Sequence, residues 1–431
     1  MTKQILSIAA ILLSTAIFLI GNGLMGTVTP VRANLDGFSD LAIGLIGSAY
    51  FAGFVLGCLA GPRLLARVGF IRTFAVAAGL AAVTPLLQAL AVDEPVWFIV
   101  RGLFGFSAAN LYMVIESWLN ERATNETRGR IFSAYLTVNF MGLIAGQLLF
   151  MTAKASADTL FMLGAIAYAL CLIPVGLTQL PQPSLVTFHK PQPLKLFRLA
   201  PVGVAGCVAV GLANGAVWTL APVYAADHGL TRGLLAIFMV MFTLGGVIVQ
   251  VPLGRLSDMT DRRYVIAALS FLAAAGGLAL AAFGGVSNIS ALLLVALYGT
   301  LALPLYGLSV AHANDRLPRE LFIEASATLL LINAVASVLG PTIAALITAH
   351  TGTAYLFVYT AAVHLALAAF TLARLRTMDA PPEETREPFA VVLPQASPVA
   401  LELDPRGPES EDVPADESSV QDQPNEEPQP A

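Results

Sequence analysis

Twelve long apolar runs, each about as long as a bilayer-spanning helix, decide most of what this chain can fold into. They lie near residues 5–31, 42–65, 73–92, 96–119, 131–153 and 160–180, and then near 201–225, 234–253, 265–283, 290–311, 322–348 and 354–375. A bilayer core is crossed by about 20 residues of helix. Lipid offers backbone groups no partners, so a spanning segment is either a helix or part of a closed barrel. Continuous apolar runs of this length exclude the in–out alternation of a barrel strand. The expected fold is therefore an all-α polytopic membrane protein. Composition agrees: 57% of the residues are hydrophobic and 12% charged, where a soluble domain carries about 25% charged residues. The first run follows Lys3. It is about twice the length of a signal-peptide core and lacks a small-x-small cleavage site, so it reads as a retained first helix.

Charge placement adds orientation. Through Arg376 the chain holds 21 Lys and Arg against 14 Asp and Glu; beyond it the counts are 2 and 14. With the N-terminus inside, 17 of the 21 basic residues fall on the inner side: Lys3, Arg63, Arg67, Arg72, Arg122, Arg128, Arg130, Lys190, Lys195, Arg198, Arg255, Arg262, Arg263, Arg316, Arg319, Arg374 and Arg376. Only Arg32, Arg101, Lys154 and Arg232 fall outside. The positive-inside rule then puts both termini in the cytoplasm. Residues 1–180 form one six-helix bundle and 200–376 a second, with 181–199 as a Pro-rich cytoplasmic linker. From residue 377 to 431 the chain is acidic and nearly free of aromatic residues, and is expected to be a disordered tail.

The two bundles repeat one another. Asn22-Gly23 followed by Thr27 and Pro30-Val31 returns 192 residues on as Asn214-Gly215 followed by Thr219 and Pro222-Val223. At the same offset Ala66 aligns with Asp258 and Gly69 with Asp261, and at an offset of 194 Asn139 and Gly146 align with Asn333 and Gly340. So small a slippage over more than a hundred residues points to duplication. A duplicated membrane chain suggests a transporter with its solute path between the halves. Cys58, Cys171 and Cys207 are scattered through apolar runs and read as packing residues rather than a disulfide or metal set. No P-loop, His-Glu-x-x-His or Gly-x-Ser-x-Gly motif occurs. No cofactor, metal, enzymatic activity or nucleic-acid partner is therefore expected, and a gradient rather than ATP must supply the energy.

Between the second and third runs of the second half stands Gly254-Arg255-Leu256-Ser257-Asp258-Met259-Thr260-Asp261-Arg262-Arg263. It resembles the Gly-x-x-x-Asp-x-x-Gly-Arg-Arg signature of the major facilitator superfamily, departing only at Asp261. The first half has Ala66 for the Asp, keeps Arg67 and Gly69, and has Phe70 and Ile71 for the Arg pair. Arg101 and Gly105 open the fourth run like the Arg-x-x-x-Gly of that family. Gly47 through Gly53, with Glu116, Arg128 and Arg130, is most similar to the uncharacterised YcaD-like bacterial branch. The resemblance covers residues 5–376. It implies two pseudo-symmetric six-helix bundles in the cell inner membrane, rocking about a midplane site that alternates in access.

What the resemblance implies for individual residues follows from position. Asp258 is expected to cap the start of the fifth helix, at Arg128 and Arg130, and hold the inner gate shut in the outward-open state; a carboxylate at a helix N-terminus gains about 0.3–1 kcal/mol. Glu324, aligned with Arg130, is expected to meet Arg67 or Arg63. Glu116, the deepest acid, is a candidate for proton coupling or for a structural pair with Arg128 or Arg130, since an intramembrane carboxylate usually has a partner or a task. Asn22, Thr27, Asn214 and Trp218 in the first helix of each half, with Asn110, Tyr112, Tyr298 and Tyr306, are candidate solute contacts. Pro30 and Pro222 are expected to kink or end their helices. Arg101 reads as an anion anchor or a snorkelling side chain, and Asn139, Gln147 and Asn333 as packing residues. The expected function is secondary transport of a small organic solute by a monomer in the lipid bilayer, with coupling to H+ left open. The alternatives are a facilitative uniporter, a drug/proton antiporter, or a non-transporting sensor on the same fold.

Overall fold

A computed structural model describes residues 2–124, 126–178, 183, 191–318, 321–380, 388–395, 397, 399 and 400. Arg319, His189 and Lys190 and the acidic residues after 400 lie outside the described residues, as does the side chain of Lys3. Among the described residues, twelve helices are long and apolar enough to cross a membrane: α1 Leu6–Leu35, α2 Asp40–Val68, α3 Phe70–Leu90, α4 Glu94–Arg122, α5 Arg128–Thr152, α6 Thr159–Gly176, α7 Pro201–Asp227, α8 Arg232–Asp258, α9 Arg262–Phe283, α10 Asn288–Asn314, α11 Glu324–Thr351 and α12 Tyr355–Thr377. Helix α6 is interrupted at Cys171, and α10 at Leu303-Pro304. Pro30 and Pro222 neither end nor interrupt their helices; α1 runs on to Leu35 and α7 to Asp227. The linker is not featureless, because Pro193–Leu199 forms a short helix that buries Leu196.

Duplication is written into the turns as well as the helices. Gly37 (φ 80°) and Gly229 (φ 75°), 192 residues apart, take the same left-handed turn after the first helix of each half, a conformation open to glycine at no steric cost. Two residues later Ser39 and Thr231 cap α2 and α8, their hydroxyls accepting from Ala42 N and Leu234 N. The aligned pair Gly69 and Asp261 shows where the copies diverge. Gly69 sits at φ 83° between α2 and α3, whereas Asp261 sits at φ −66° and caps α9 by accepting from Arg263 N at 3.0 Å. The second loop has no left-handed residue here, so it needs no glycine.

Within each half the first helix crosses the fifth at glycine. An ideal Cβ on Gly146 would lie 2.2 Å from the Ile20 carbonyl oxygen, and one on Gly340 would lie 2.3 Å from that of Leu212. Here α1–α5 and α7–α11 touch backbone to backbone, as small residues permit in membrane helices. Between the halves, α2 packs on α11, α1 on α7 and α5 on α8. One end of the molecule carries the arginines of the α2–α3 and α8–α9 loops; at the far end the halves are joined. There Asn34 Nδ2 donates to Asp227 Oδ1 at 2.9 Å, and the Ser48 and Thr342 hydroxyls share a 2.7 Å hydrogen bond.

The tail departs from the sequence expectation over part of its length. Residues 388–395, 397, 399 and 400 are packed against the helices at the arginine-rich end, and Val392, Ser397, Val399 and Ala400 are buried.

Candidate functional site

Two adjoining cavities open between the halves. The larger is lined from α1 by Asn22, Gly26 and Thr27, from α2 by Gly47, Tyr50 and Phe51, from α4 by Arg101, from α5 by Gln147 and from α7 by Trp218 and Thr219. The smaller shares Tyr50, Phe51 and Trp218 and adds Asn214, Asn333, Ala334 and Ser337. The repeated Asn therefore reaches these cavities from both halves. The Thr27 hydroxyl donates to Gly23 O at 3.3 Å, and Thr219 repeats this to Gly215 O at 3.0 Å. Both threonines thus present mainly a methyl and an acceptor oxygen. Trp218 stacks edge-on against Phe242, with ring centroids 5.0 Å apart, which fixes its indole in the wall.

Arg101 is the one charged residue among the described residues that line either cavity. Its guanidinium carbon lies 5.1 Å from the Tyr50 ring and 5.2 Å from the Phe104 ring, both within cation–π range. Its Nε is buried and has no hydrogen-bond partner among the described residues. The side chain is therefore held by two ring faces toward the cavity, rather than snorkelling away from it.

Other candidates lie away from these two cavities. Asn110 donates to Phe106 O at 2.8 Å within its own helix, and Tyr112 stacks against Phe18 and Phe54 inside the first bundle. Tyr298 lies 3.3 Å from His364 Nε2 and packs against Phe242 and Phe357 inside the second; Tyr306 is likewise buried. None of these four lines either cavity. Gln147 moves the other way: assigned to packing from the sequence, it lines the larger cavity and donates across the halves to Thr243 Oγ1 at 3.2 Å. Asn333 lines the smaller. Tyr50 and Phe51 carry no motif, and only the position of α2 beside α7 and α11 reveals them.

At the arginine-rich end the signature loop of the second half ties its own helices together. Arg262, almost fully buried, bridges Asp315 at the end of α10 and Asp258 at the end of α8, both at 2.7 Å, and donates to Ser257 Oγ at 2.6 Å. Arg263 pairs with Asp261 at 2.6 Å and donates to the Met378 carbonyl at 2.7 Å, fastening the end of α12. Burial alone would raise the Asp261 carboxyl, but the Arg263 hydrogen bonds and charge outweigh it and hold it below its ordinary value. Asp258 thus meets Arg262, not the start of α5, in this conformation. Glu324 makes no ion pair with Arg67 or Arg63; it shares a small surface pocket with Lys195 of the linker helix. In the first half Arg67 and Arg130 are exposed. Gly254 packs against the Phe389 ring, and Gly105 against the α2 backbone at Tyr50.

Glu116 is fully buried, and its partners are not Arg128 or Arg130. Oε1 accepts from the Tyr135 hydroxyl at 2.6 Å, and Oε2 accepts from the backbone N–H of Ser397 at 2.9 Å. The Phe389 N–H donates to both oxygens of Asp258, at 3.0 and 3.1 Å. Between these anchors Gln395 lines both cavities, and Pro394 the smaller. The tail was missed because its average composition is acidic and polar. The legible signal was local: residues 388–400, Pro-Phe-Ala-Val-Val-Leu-Pro-Gln-Ala-Ser-Pro-Val-Ala, hold no charge at all.

Two six-helix halves with two adjoining cavities between them define a polytopic membrane protein of the transporter class. The chain belongs to the Major Facilitator Superfamily, whose family model matches residues 11–322 and 204–403. It is similar to the uncharacterized MFS-type transporter YcaD of Salmonella heidelberg (strain SL476), 27% identical over 79% of this chain and 88% of that one. An uncharacterized MFS-type transporter of Enterobacter sp. (strain 638) is equally similar over the same shares. Among solved structures, the nucleoside transporter NupG superposes with a TM-score of 0.70 at 14% identity, over 87% of this chain and 100% of that one. The D-xylose-proton symporter superposes with a TM-score of 0.68 at 15% identity, over 89% and 98%. At such identities the likeness is one of fold. The chain is a multi-pass membrane protein, consistent with the bacterial inner membrane.

Proposed function

We propose that this protein is a secondary transporter that carries a small organic anion, by exposing the Asn22–Trp218 cavity alternately to the two sides of the membrane. The observation that carries the anionic class is Arg101. A guanidinium with a buried, unpartnered N–H, in a wall whose described residues contribute no carboxylate, is a site for a carboxylate or phosphate. Arg offers a planar donor fork that suits either group. Asn22, Gln147 and Asn214 add neutral donors and acceptors, and Tyr50, Phe51 and Trp218 supply apolar faces for the rest of the solute.

The arginine-rich end is taken as cytoplasmic by the positive-inside rule, and the conformation, joined at the far end, is then inward-facing. In the opposite state Asp258 would exchange its contacts for the start of α5 near Arg128, the latch that its position suggests. Proton coupling would run through Glu116, a fully buried carboxyl group in α4. The test is a thermal-shift screen of the purified full chain against matched anionic and neutral solutes, followed by uptake in proteoliposomes with and without a pH gradient. Anionic hits that vanish in Arg101→Gln support the reading. Hits confined to neutral or cationic solutes and indifferent to that substitution overturn it.

A further inference from the structure

Residues 388–395, 397, 399 and 400 tie the two halves together at the arginine-rich end. They leave the second half at Asp258, where the Phe389 ring lies against Gly254 and Gly307, and reach the first half at Glu116; between those anchors Gln395 lines both cavities and Pro394 the smaller one. The root of the segment is also held. Arg263 donates to the Met378 carbonyl, and Arg316 donates to that of Asp379 at 2.6 Å. Four charged side chains, two basic and two acidic, are thereby committed to the backbone of the tail.

We infer that the cleft between α4, α8 and α10 at the arginine-rich end is a docking groove for an uncharged, proline-punctuated extended peptide, whose resident occupant, residues 388–400 of this chain, shuts the solute path on that side. The chemistry of the groove matches this occupant and few others. Its two carboxylates accept backbone N–H groups, which every peptide carries and an apolar lipid chain lacks. The glycine faces at Gly254 and Gly307 accept an aromatic ring. A charged segment would have to desolvate its charges to enter, and residues 388–400 have none, although acidic residues flank them on both sides. Prolines 388, 394 and 398 restrict the free segment toward extended conformations and lower the entropy lost on docking. Only eleven residues separate Thr377 from Phe389. A short tether of that kind gives an effective concentration on the order of millimolar, so the docked state is the resting one. Solute arriving from this side must wait for, or compete with, release of the segment.

The plug has a role only if the cavity is a solute path, but its test needs no solute. In a chain with Cys58, Cys171 and Cys207 replaced by Ser, Ala334→Cys places one thiol in the wall of the smaller cavity. A membrane-impermeant maleimide, applied from the arginine-rich side of oriented vesicles, then reports access. We expect labelling at least tenfold faster when the chain is ended after Asp379. The full-length double variant Val392→Asp, Val399→Asp, which leaves every helix intact, should label as fast as the truncated chain. Synthetic peptide 388–400, added to the truncated protein, should restore slow labelling, and a scrambled peptide should not. Equal labelling of the full chain, the truncated chain and the double variant overturns the plug. Fast labelling of the truncated chain that peptide 388–400 fails to slow overturns the docking groove.

Discussion

The backbone N–H of Ser397 donates at 2.9 Å to the carboxylate of Glu116, 281 residues earlier in the chain, and Tyr135 donates to the other oxygen at 2.6 Å. This fully buried acid thus binds the tail on one side and α5 on the other. A hydrogen bond is worth about 0.5–1.5 kcal/mol between neutral groups and about 1.5–3 kcal/mol to a charged one, or roughly 2- to 100-fold in an equilibrium. Glu116→Gln is expected to shift the tail toward release by about that factor, read as faster maleimide labelling of Ala334→Cys. Tyr135→Phe should lower the melting temperature instead, since it leaves the tail bond in place and costs a buried carboxylate one donor, about 1–3 kcal/mol. Identical behaviour of the two variants would mean that Glu116 does not hold the tail.

Arg101 should set solute charge. Arg101→Gln keeps hydrogen-bonding groups and removes the positive charge, so affinity for an anionic solute should fall about 10- to 100-fold while neutral analogues are unaffected. Arg101→Lys should recover only part of it, since an ammonium cannot make the planar two-pronged contact. Equilibrium binding to each variant decides between these outcomes.

The Arg262–Asp315 pair is buried on both sides, with side-chain exposures of 1% and 2%, whereas Asp258 is 30% exposed. Removing one partner of a buried pair costs about 3–5 kcal/mol. The Arg262–Asp258 pair, open to solvent on its Asp258 side, is worth less than one buried on both sides. Asp315→Asn should therefore lower the thermal midpoint in detergent far more than Asp258→Asn. Equal shifts would place Asp258 among the structural residues and remove it as a mobile latch.

Asp261 makes a pH prediction whose sign follows from its partner. Its carboxyl is held below the ordinary 3.8 by Arg263, so the stabilisation it contributes is complete above the unfolded value. It is lost as pH falls through the lower folded one. The stability difference between the native chain and Asp261→Asn should be constant above about pH 5 and shrink as the medium is acidified below about 4. Melting curves across that range measure it; a difference that grows on acidification contradicts the assignment.

Gly146 and Gly340 should fail in parallel. A methyl group on either meets a carbonyl oxygen at 2.2 or 2.3 Å, and overpacking of this kind costs about 1–3 kcal/mol. Gly146→Ala and Gly340→Ala should each lower stability by that amount. At Gly79, where a Cβ meets nothing within 4 Å, the same change should be neutral or stabilising.

The twelve helices, the two halves and the pairing of Asn22 with Asn214 were legible in the amino-acid sequence. Lipid forces each apolar run to satisfy its own backbone bonds, and duplication leaves equal offsets behind it. Trp218 and Arg101 were legible as chemistry, because a charge or an indole in an apolar helix demands a partner. What tertiary structure alone decided is which polar groups face the cavity. Tyr112 and Tyr50 look alike in sequence, yet one is enclosed by Phe18 and Phe54 while the other lines the cavity beside Arg101. The crossing of α2 over α7 and α11 makes that difference, and no local pattern encodes a crossing. The partners of Glu116 and Asp258 were hidden for the same reason. Their donors are backbone N–H groups of Ser397 and Phe389, and every residue but proline has an N–H, so the sequence carries no mark of which one will arrive.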